Sequence, residues 1–213
     1  RVYNGVDFVK GNLPVKEGQA QSGVVRRLDY QVPAFLVDAT RLDFDIDYER
    51  TVVRAELQLR RNPEHPDAEA PLRLDGEKLE LLGIELDGRE LESGDYEQTD
   101  TGLSIAGVGD SALLVTRVAI NPAANTELEG LYKSGDFLLT QCEAEGFRKI
   151  TYYPDRPDVM APFRVTLSAD RERFPVLVSN GNRVDAGELD DGRHYVTWED
   201  PFRKPSYLFA VVA

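Results

Sequence analysis

Residues 140–158 read TQCEAEGFRKITYYPDRPD, and they place a glutamine and two glutamates around the single cysteine of the chain. If this stretch is an alternating strand, Gln141, Glu143 and Glu145 share one face. A carboxylate in a cleft can form a charge-assisted hydrogen bond with a protonated amine, and a neighbouring amide supplies a neutral partner. The spacing therefore favours a face that binds a cation such as an amine. The alternative is that these are ordinary solvent-facing carboxylates.

The residue types give little support to zinc-dependent or nucleophilic catalysis within this chain. The two histidines, His65 and His194, do not form an H-E-x-x-H pair, so we expect no complete catalytic zinc site in this chain. Both are interpreted as surface or turn residues. Cys142 lacks the sequence context of a cysteine protease, and no G-x-S-x-G motif is present. We expect Cys142 to be a small buried apolar residue.

Composition narrows the class of protein. The chain has 213 residues, 41% of them hydrophobic, which is typical of an ordinary globular protein. Its net charge of −13 repels phosphate backbones, so we expect no nucleic-acid partner. No stretch reaches the roughly 18 apolar residues of a membrane span. One cysteine cannot form an intramolecular disulfide, which fits a reducing compartment and predicts the cytoplasm.

The pattern of apolar residues predicts strands. Leu42, Phe44 and Ile46 alternate with polar residues, and a second alternating run covers 53–59. Further short runs are bounded by Gly, Asn, Asp or Pro, and no long amphipathic helix is evident. The sequence therefore predicts an all-β fold, either an antiparallel β-sandwich or a large curved sheet.

Two Asp-Gly pairs mark expected hairpin turns, at Asp75-Gly76 and at Asp87-Gly88. The first residues, 1–23, show weak periodicity and form an N-terminal arm of uncertain role in our interpretation. The chain ends in SYLFAVVA, inside an apolar run with no polar cap. We therefore expect it to be part of a longer protein.

The stretch GLYKSGDFLLTQCEAEGFRKITYYPDRPDV resembles the corresponding part of the bacterial aminopeptidase N family, zinc aminopeptidases of the gluzincin group. The segments PLRLDGEKLELLGIELDG, NPAANTELEGLY and FPVLVSNGNRVDAGELDDGRHYVTWEDPFRKPSYLFAVVA agree with it, so the resemblance extends over about 24–213. It implies a saddle-like, mostly antiparallel N-terminal β domain at 24–213, followed in the full enzyme by a thermolysin-like catalytic domain. The zinc motif of that domain is missing here, so the resemblance implies zinc in the full enzyme and none bound by this fragment.

The resemblance also implies roles for two residues. Gln141 matches the glutamine that lines the first side-chain subsite (S1), and Glu143 matches the glutamate that helps hold the free α-amino group of the substrate. Glu145 matches no assigned position, so we expect it at the surface. The implied partners are the N-terminus of a peptide substrate and the catalytic domain, in a monomeric enzyme. Most of the tail FRKITYYPDRPD, with Phe147, Tyr152 and Tyr153 supplying packing area, is expected to shape the surface that docks on the catalytic domain.

Two alternatives remain open from the sequence. One is an autonomous β-sandwich binding or interaction module that lacks enzyme activity; the gene sequence that follows SYLFAVVA distinguishes it from an enzyme domain. The other is the epoxide-hydrolase branch of the same superfamily, for which we expect glutamine at position 143. The glutamate found there favours plain aminopeptidase activity.

Overall fold

Strands dominate residues 30–213, the part of the chain that the computed structural model describes. Val32–Ala213 make up one unit of the chain, and the expected arm at 1–23 and its boundary at Val24 lie outside the described residues. Within 30–213 the strands are β1 (Phe35–Asp45), β2 (Thr51–Arg61), β3 (Leu72–Asp75), β4 (Glu80–Leu86), β5 (Arg89–Glu90), β6 (Glu97–Thr99), β7 (Gly102–Ile105), β8 (Ser111–Ile120), β9 (Gly130–Ser134), β10 (Phe137–Gln141), β11 (Met160–Asp170), β12 (Val178–Ser179), β13 (Asn182–Glu188), β14 (Arg193–Pro205) and β15 (Val211–Val212).

Helical structure within the described residues is limited to short 3-10 segments. They are Pro122–Ala124, Phe147–Lys149, Asp190–Gly192 and Ser206–Leu208. None of the helices in residues 30–213 has the length and apolar character that a membrane crossing requires. The prediction of an all-β fold without long amphipathic helices is confirmed for this part of the chain.

The largest sheet has eight strands in the order β13-β14-β11-β1-β2-β8-β4-β5. Its neighbours are antiparallel except for β1 and β11, which run parallel with Thr40 opposite Phe163. The expected large sheet is therefore present, but it is mixed rather than wholly antiparallel. The reason is that β11 follows β1 only after nine intervening strands, β2 to β10, and this long connection lets it enter the sheet in the same direction as β1.

Alternating burial explains why these segments pair as strands. Leu42, Phe44 and Ile46 are at most 2% exposed, and so are Val53 and Leu57 of the neighbouring strand. The intervening residues of β1 and β2 are half-buried or exposed, as expected for a sheet with one face on the core. The period-two prediction is confirmed for both strands.

The two Asp-Gly pairs have different outcomes. Asp87 and Gly88 have φ angles of 52° and 80° and form the two-residue loop between β4 and β5, as predicted. Asp75-Gly76 is not a hairpin, because β3 belongs to the three-stranded sheet and β4 to the eight-stranded sheet. Asp75 instead exchanges two backbone hydrogen bonds with Tyr153, of 2.8 and 3.1 Å.

Two smaller sheets complete the fold and position residue 141. The four-stranded sheet has the order β12-β15-β10-β9, and the three-stranded sheet has the order β3-β7-β6. Gln141 is the last residue of β10 and lies opposite Gly130 of β9, while Leu139 lies opposite Val212 of β15. The strand that leads into the candidate site is therefore held on both sides.

Candidate functional site

A turn follows β10 and carries the two glutamates singled out by the sequence. The strand ends at Gln141, and the backbone N–H of Gly146 donates to the carbonyl of Cys142 over 2.9 Å. Glu143 and Glu145 are exposed, whereas Cys142 is 3% exposed and anchors the inner side of the turn. The peptide bond between Glu143 and Ala144 is cis.

The expected strand face of residues 141, 143 and 145 is wrong, because residues 143–146 form a turn. Gly146 explains why the chain can turn so sharply here. A Cβ at this position would press on the carbonyl oxygen of Gln141 and lie 2.9 Å from the backbone nitrogen of Gly130 and 3.0 Å from the Cα of Cys142. Only glycine permits this close approach of three backbone segments.

The structure nevertheless brings Gln141 and Glu143 together. The side-chain Nε2 of Gln141 donates to the backbone carbonyl of Glu143 over 3.1 Å. Gln141 therefore supports the turn directly, and both side chains are exposed. Among residues 30–213, no side chain forms a hydrogen bond or ion pair with the Glu143 carboxylate.

Glu145 is exposed, as expected, but it has a partner. Its carboxylate lies 3.5 Å from Nη1 of Arg148, and its side chain is 70% exposed whereas that of Arg148 is 15% exposed. Burial lowers the pKa of the Arg148 guanidinium, but the carboxylates of Asp75, Asp155 and Glu145 outweigh it and raise the pKa overall. This guanidinium is therefore a permanent positive charge beneath the turn.

Asp155 lies below the turn with its side chain only 1% exposed. Its Oδ2 accepts hydrogen bonds from the backbone nitrogen and from Nε of Arg148, at 3.2 and 3.1 Å, and its Oδ1 accepts one from the Ser206 hydroxyl at 2.5 Å. The backbone nitrogen of Asp155 donates to Oδ2 of Asp75 over 2.9 Å. Burial raises the pKa of Asp75, and the Arg148 charge offsets part of that effect.

Lys149 fixes the other side of the turn. Its Nζ donates to Glu127 over 2.6 Å and to Glu129 over 2.5 Å, and Lys78 also contacts Glu127. The hydrogen bonds from Lys149 and then from Lys78 lower the pKa of Glu127 to about 2. Burial alone would lower the pKa of Lys149. The hydrogen bonds and charges of Glu127 and Glu129 outweigh burial, so the pKa of Lys149 lies above its ordinary value.

The aromatic residues after the turn lie in the core. Phe147 and Tyr153 are 0% exposed and Tyr152 is 1% exposed, so these three residues supply packing area as expected and are not part of an exposed surface. Phe147 packs edge-on against Tyr153 and Phe209, with ring centroids 4.9 and 5.1 Å apart. These rings pack inward because burying their large apolar area is favourable, and they form the apolar core beneath the turn.

The other residues with catalytic potential are structural. His65 lies in a loop, as expected, where Nδ1 is 2.9 Å from the carbonyl of Asp67. The expectation of a surface position is wrong for His194, which is 5% exposed in β14 with Nε2 2.7 Å from the carbonyl of Phe174. Cys142 is buried as predicted, and burial raises the pKa of its thiol, which disfavours the reactive thiolate.

The described residues do not fit a zinc ion. Across 30–213, no group of three or more His, Cys, Asp or Glu side chains is placed to hold a metal. Zinc in proteins needs such a converging set of nitrogen, sulfur or carboxylate ligands.

Sequence reasoning missed three of the residues that fix the turn, Arg148, Asp155 and Ser206. Arg148 and Asp155 are seven positions apart within the quoted stretch. The available signal for this pair was that two residues of opposite charge flank the aromatic residues Tyr152 and Tyr153. Ser206 is 51 positions from Asp155, and no local pattern indicates that contact.

Known proteins resemble this chain over most of its length. The Peptidase M1 N-terminal domain family matches residues 36–208. Aminopeptidase N of Caulobacter vibrioides is 50% identical over 189 residues, which are 89% of this chain and 21% of that protein. The chain therefore spans about a fifth of the length of this curated relative.

Solved structures share the fold. Legionella pneumophila aminopeptidase A in complex with aspartic acid superposes with a TM-score of 0.84 at 34% identity, covering 87% of this chain and 22% of that one. An M1 zinc metallopeptidase from Deinococcus radiodurans gives a TM-score of 0.70 at 15% identity, covering 85% of this chain and 42% of that one. The second likeness concerns the fold alone.

Proposed function

This chain belongs to the peptidase M1 N-terminal domain family, and we propose that it supplies the amine anchor of a zinc aminopeptidase that removes N-terminal residues from peptides. Glu143 is the anchoring carboxylate and Gln141 forms part of the S1 wall. The zinc ion, which supplies a Lewis acid and an activated water when bound, belongs to a catalytic domain outside this chain.

The exposed carboxylate of Glu143 on a fixed turn is the observation that carries the proposal. Gln141 supports the turn from the strand side, and the 15% exposed Arg148 supports it from below. These contacts support the backbone of the turn at Glu143, and its carboxylate, which has no side-chain partner within residues 30–213, is available to an incoming ligand. A protonated α-amine is a ligand that such a charge can recognise.

The chemistry of an aminopeptidase requires such an anchor. The enzyme has to count one residue from the end of a peptide, and holding the ammonium at a set distance from the metal places only the first peptide bond there. The similar Legionella aminopeptidase A binds aspartic acid, a free amino acid that carries this ammonium group. The likeness supports the ligand class.

Gln141 has one donor and an acceptor left for a substrate. One N–H of its amide is used by the Glu143 carbonyl, which leaves a second N–H and the amide oxygen. The residue can therefore support the turn and contact a substrate side chain at the same time. The proposed partners are the peptide N-terminus and the catalytic domain, with 24–213 as the domain and 1–23 as an arm, in a monomeric cytoplasmic enzyme.

Replacing the proposed anchor tests the function. In the full-length enzyme, Glu143→Ala removes one side of a carboxylate–ammonium contact worth about 2 to 5 kcal/mol, so kcat/KM for unblocked peptides falls roughly 30- to 5,000-fold. Steady-state kinetics and a zinc assay measure this. Glu199→Ala, which removes a half-exposed carboxylate of β14, is the matched control. Unchanged kcat/KM with intact zinc content would exclude Glu143 from the site.

The isolated chain gives a second test. Because residues 30–213 hold no cluster of metal ligands, we expect the purified 213-residue chain to bind no stoichiometric zinc and to show no peptidase turnover. Metal analysis and a peptide-hydrolysis assay check this. Turnover by the pure chain would contradict the assignment of catalysis to another domain.

A further inference from the structure

One arginine links the turn to two distant parts of the fold. Arg148 contacts Glu145 inside the turn at 3.5 Å and Asp155 below it at 3.1 Å. Asp155 in turn accepts a hydrogen bond from Ser206, which is 1% exposed and lies just before β15. Because β15 pairs with β10, the strand that leads into the turn, these contacts form a closed ring around it.

The contacts of Arg148 use the whole guanidinium. Nε reaches the Asp155 carboxylate, Nη2 donates to the Asp155 carbonyl over 3.1 Å, and Nη1 faces Glu145. A lysine has one nitrogen and cannot serve these partners together, since its ammonium is a single point of charge. The geometry therefore requires arginine specifically.

The guanidinium also separates several negative charges. Oδ2 of Asp75 lies 4.0 Å from Nη2, and Oε1 of Glu77 lies 3.9 Å from Nη1. With Glu145 and Asp155 this makes four carboxylates around one cation. Without that cation the carboxylates repel one another, and the exposed Glu145 is the one most able to move away.

We propose that Arg148 is a positioning residue, which fixes the turn through Glu145 and Asp155 so that Glu143 meets the substrate amine at one place. This proposal rests on the anchoring role proposed above for Glu143. It adds that Arg148, whose side chain is 15% exposed beneath the turn, sets the position of Glu143. Arg148 acts through Glu143 and does not touch the substrate.

Arg148→Lys in the full-length enzyme tests the proposal. It keeps the charge but loses the fork of donors, so KM for L-alanine 4-nitroanilide rises about tenfold while kcat changes less than about twofold. Arg164→Lys makes the same change in the half-exposed pair with Glu199 and leaves KM unchanged. A lower melting temperature with an unchanged KM would show that Arg148 is only structural and would overturn the proposal.

Glu145→Gln provides a variant whose folding is not at risk, because this side chain is 70% exposed. It weakens the contact between the turn and Arg148, so we expect KM to rise about threefold with an unchanged melting temperature. An unchanged KM would contradict the proposed link through Glu145.

A double-mutant cycle identifies the residue through which Arg148 acts. In a Glu143→Ala background, Arg148→Lys should raise KM no further, because the anchor that it positions is already absent. A further tenfold rise there would overturn the proposal. If Glu143→Ala alone leaves kcat/KM intact, the anchoring function itself fails; if Glu143→Ala is impaired and Arg148→Lys is not, only the positioning role fails.

Discussion

The β1–β2 pair and the segment 142–155, which contains the turn at 143–146, are built on different principles. In the strand pair, burial follows the period of the sequence, and Leu42, Val53 and Leu57 are 0% exposed because every second side chain faces the core. In segment 142–155, Asp155 is buried by individual partners, one of them 80 positions away and another 51. The comparison teaches that a repeating pattern can specify a core, whereas a site depends on single contacts.

The largest effect should come from the turn. Asp155→Ala leaves Arg148 buried without its main partner and the Ser206 hydroxyl without an acceptor, so the free energy of unfolding of the chain falls by about 3 to 5 kcal/mol. Urea unfolding measures the loss, and Asp95→Ala, which removes an exposed carboxylate, is the control. A loss below about 1 kcal/mol would break the comparison, because polar contacts would then not hold the turn.

A somewhat smaller effect is expected in the strand pair. Leu57 is 0% exposed, so Leu57→Ala leaves a cavity where its side chain was and lowers the free energy of unfolding by about 3 kcal/mol. Leu113→Ala on β8 removes the same group where it is 36% exposed and should cost under about 1 kcal/mol. Equal losses at the two positions in urea unfolding would show that burial does not set the stability of this sheet.

The smallest effect concerns acid sensitivity at the edge of the turn. The pKa of Glu127 is lowered from 4.5 to about 2, so its contribution to stability is present above pH 4.5 and is lost as the pH falls toward 2. Glu127→Gln should therefore show a slightly flatter fall in melting temperature over this range. Glu90→Gln, at the far edge of the eight-stranded sheet, should follow the parent curve. Identical curves of melting temperature against pH for Glu127→Gln and the parent would show that Glu127 makes no such contribution to stability.

The strands could be predicted because their information is local. Alternation placed Leu42, Phe44 and Ile46 on one face, and Asp87-Gly88 was identified as a turn from two residue types. Asp75-Gly76 has the same letters and a different structure, because its backbone pairs with Tyr153. A dipeptide cannot indicate which distant segment will compete for its hydrogen bonds.

The candidate site was only partly predictable. Gln141 and Glu143 were proposed from the resemblance and stay predictions, while the argument from a shared strand face failed because β10 ends at Gln141 and residues 143–146 form a turn. Arg148 and Asp155 were missed because charged residues are usually assigned to the surface, and their burial depends on partners that no local pattern reveals.

The parallel pairing of β1 with β11 also affects how the chain is made. Thr40 lies opposite Phe163, so β1 has its β2 hairpin partner early in synthesis but receives its second neighbour only after most of the chain has left the ribosome. At typical translation rates this interval is on the order of ten seconds. Throughout that time one side of β1 offers unpaired N–H and C=O groups to other nascent chains, so a chaperone that shields this edge should raise the yield of folded protein.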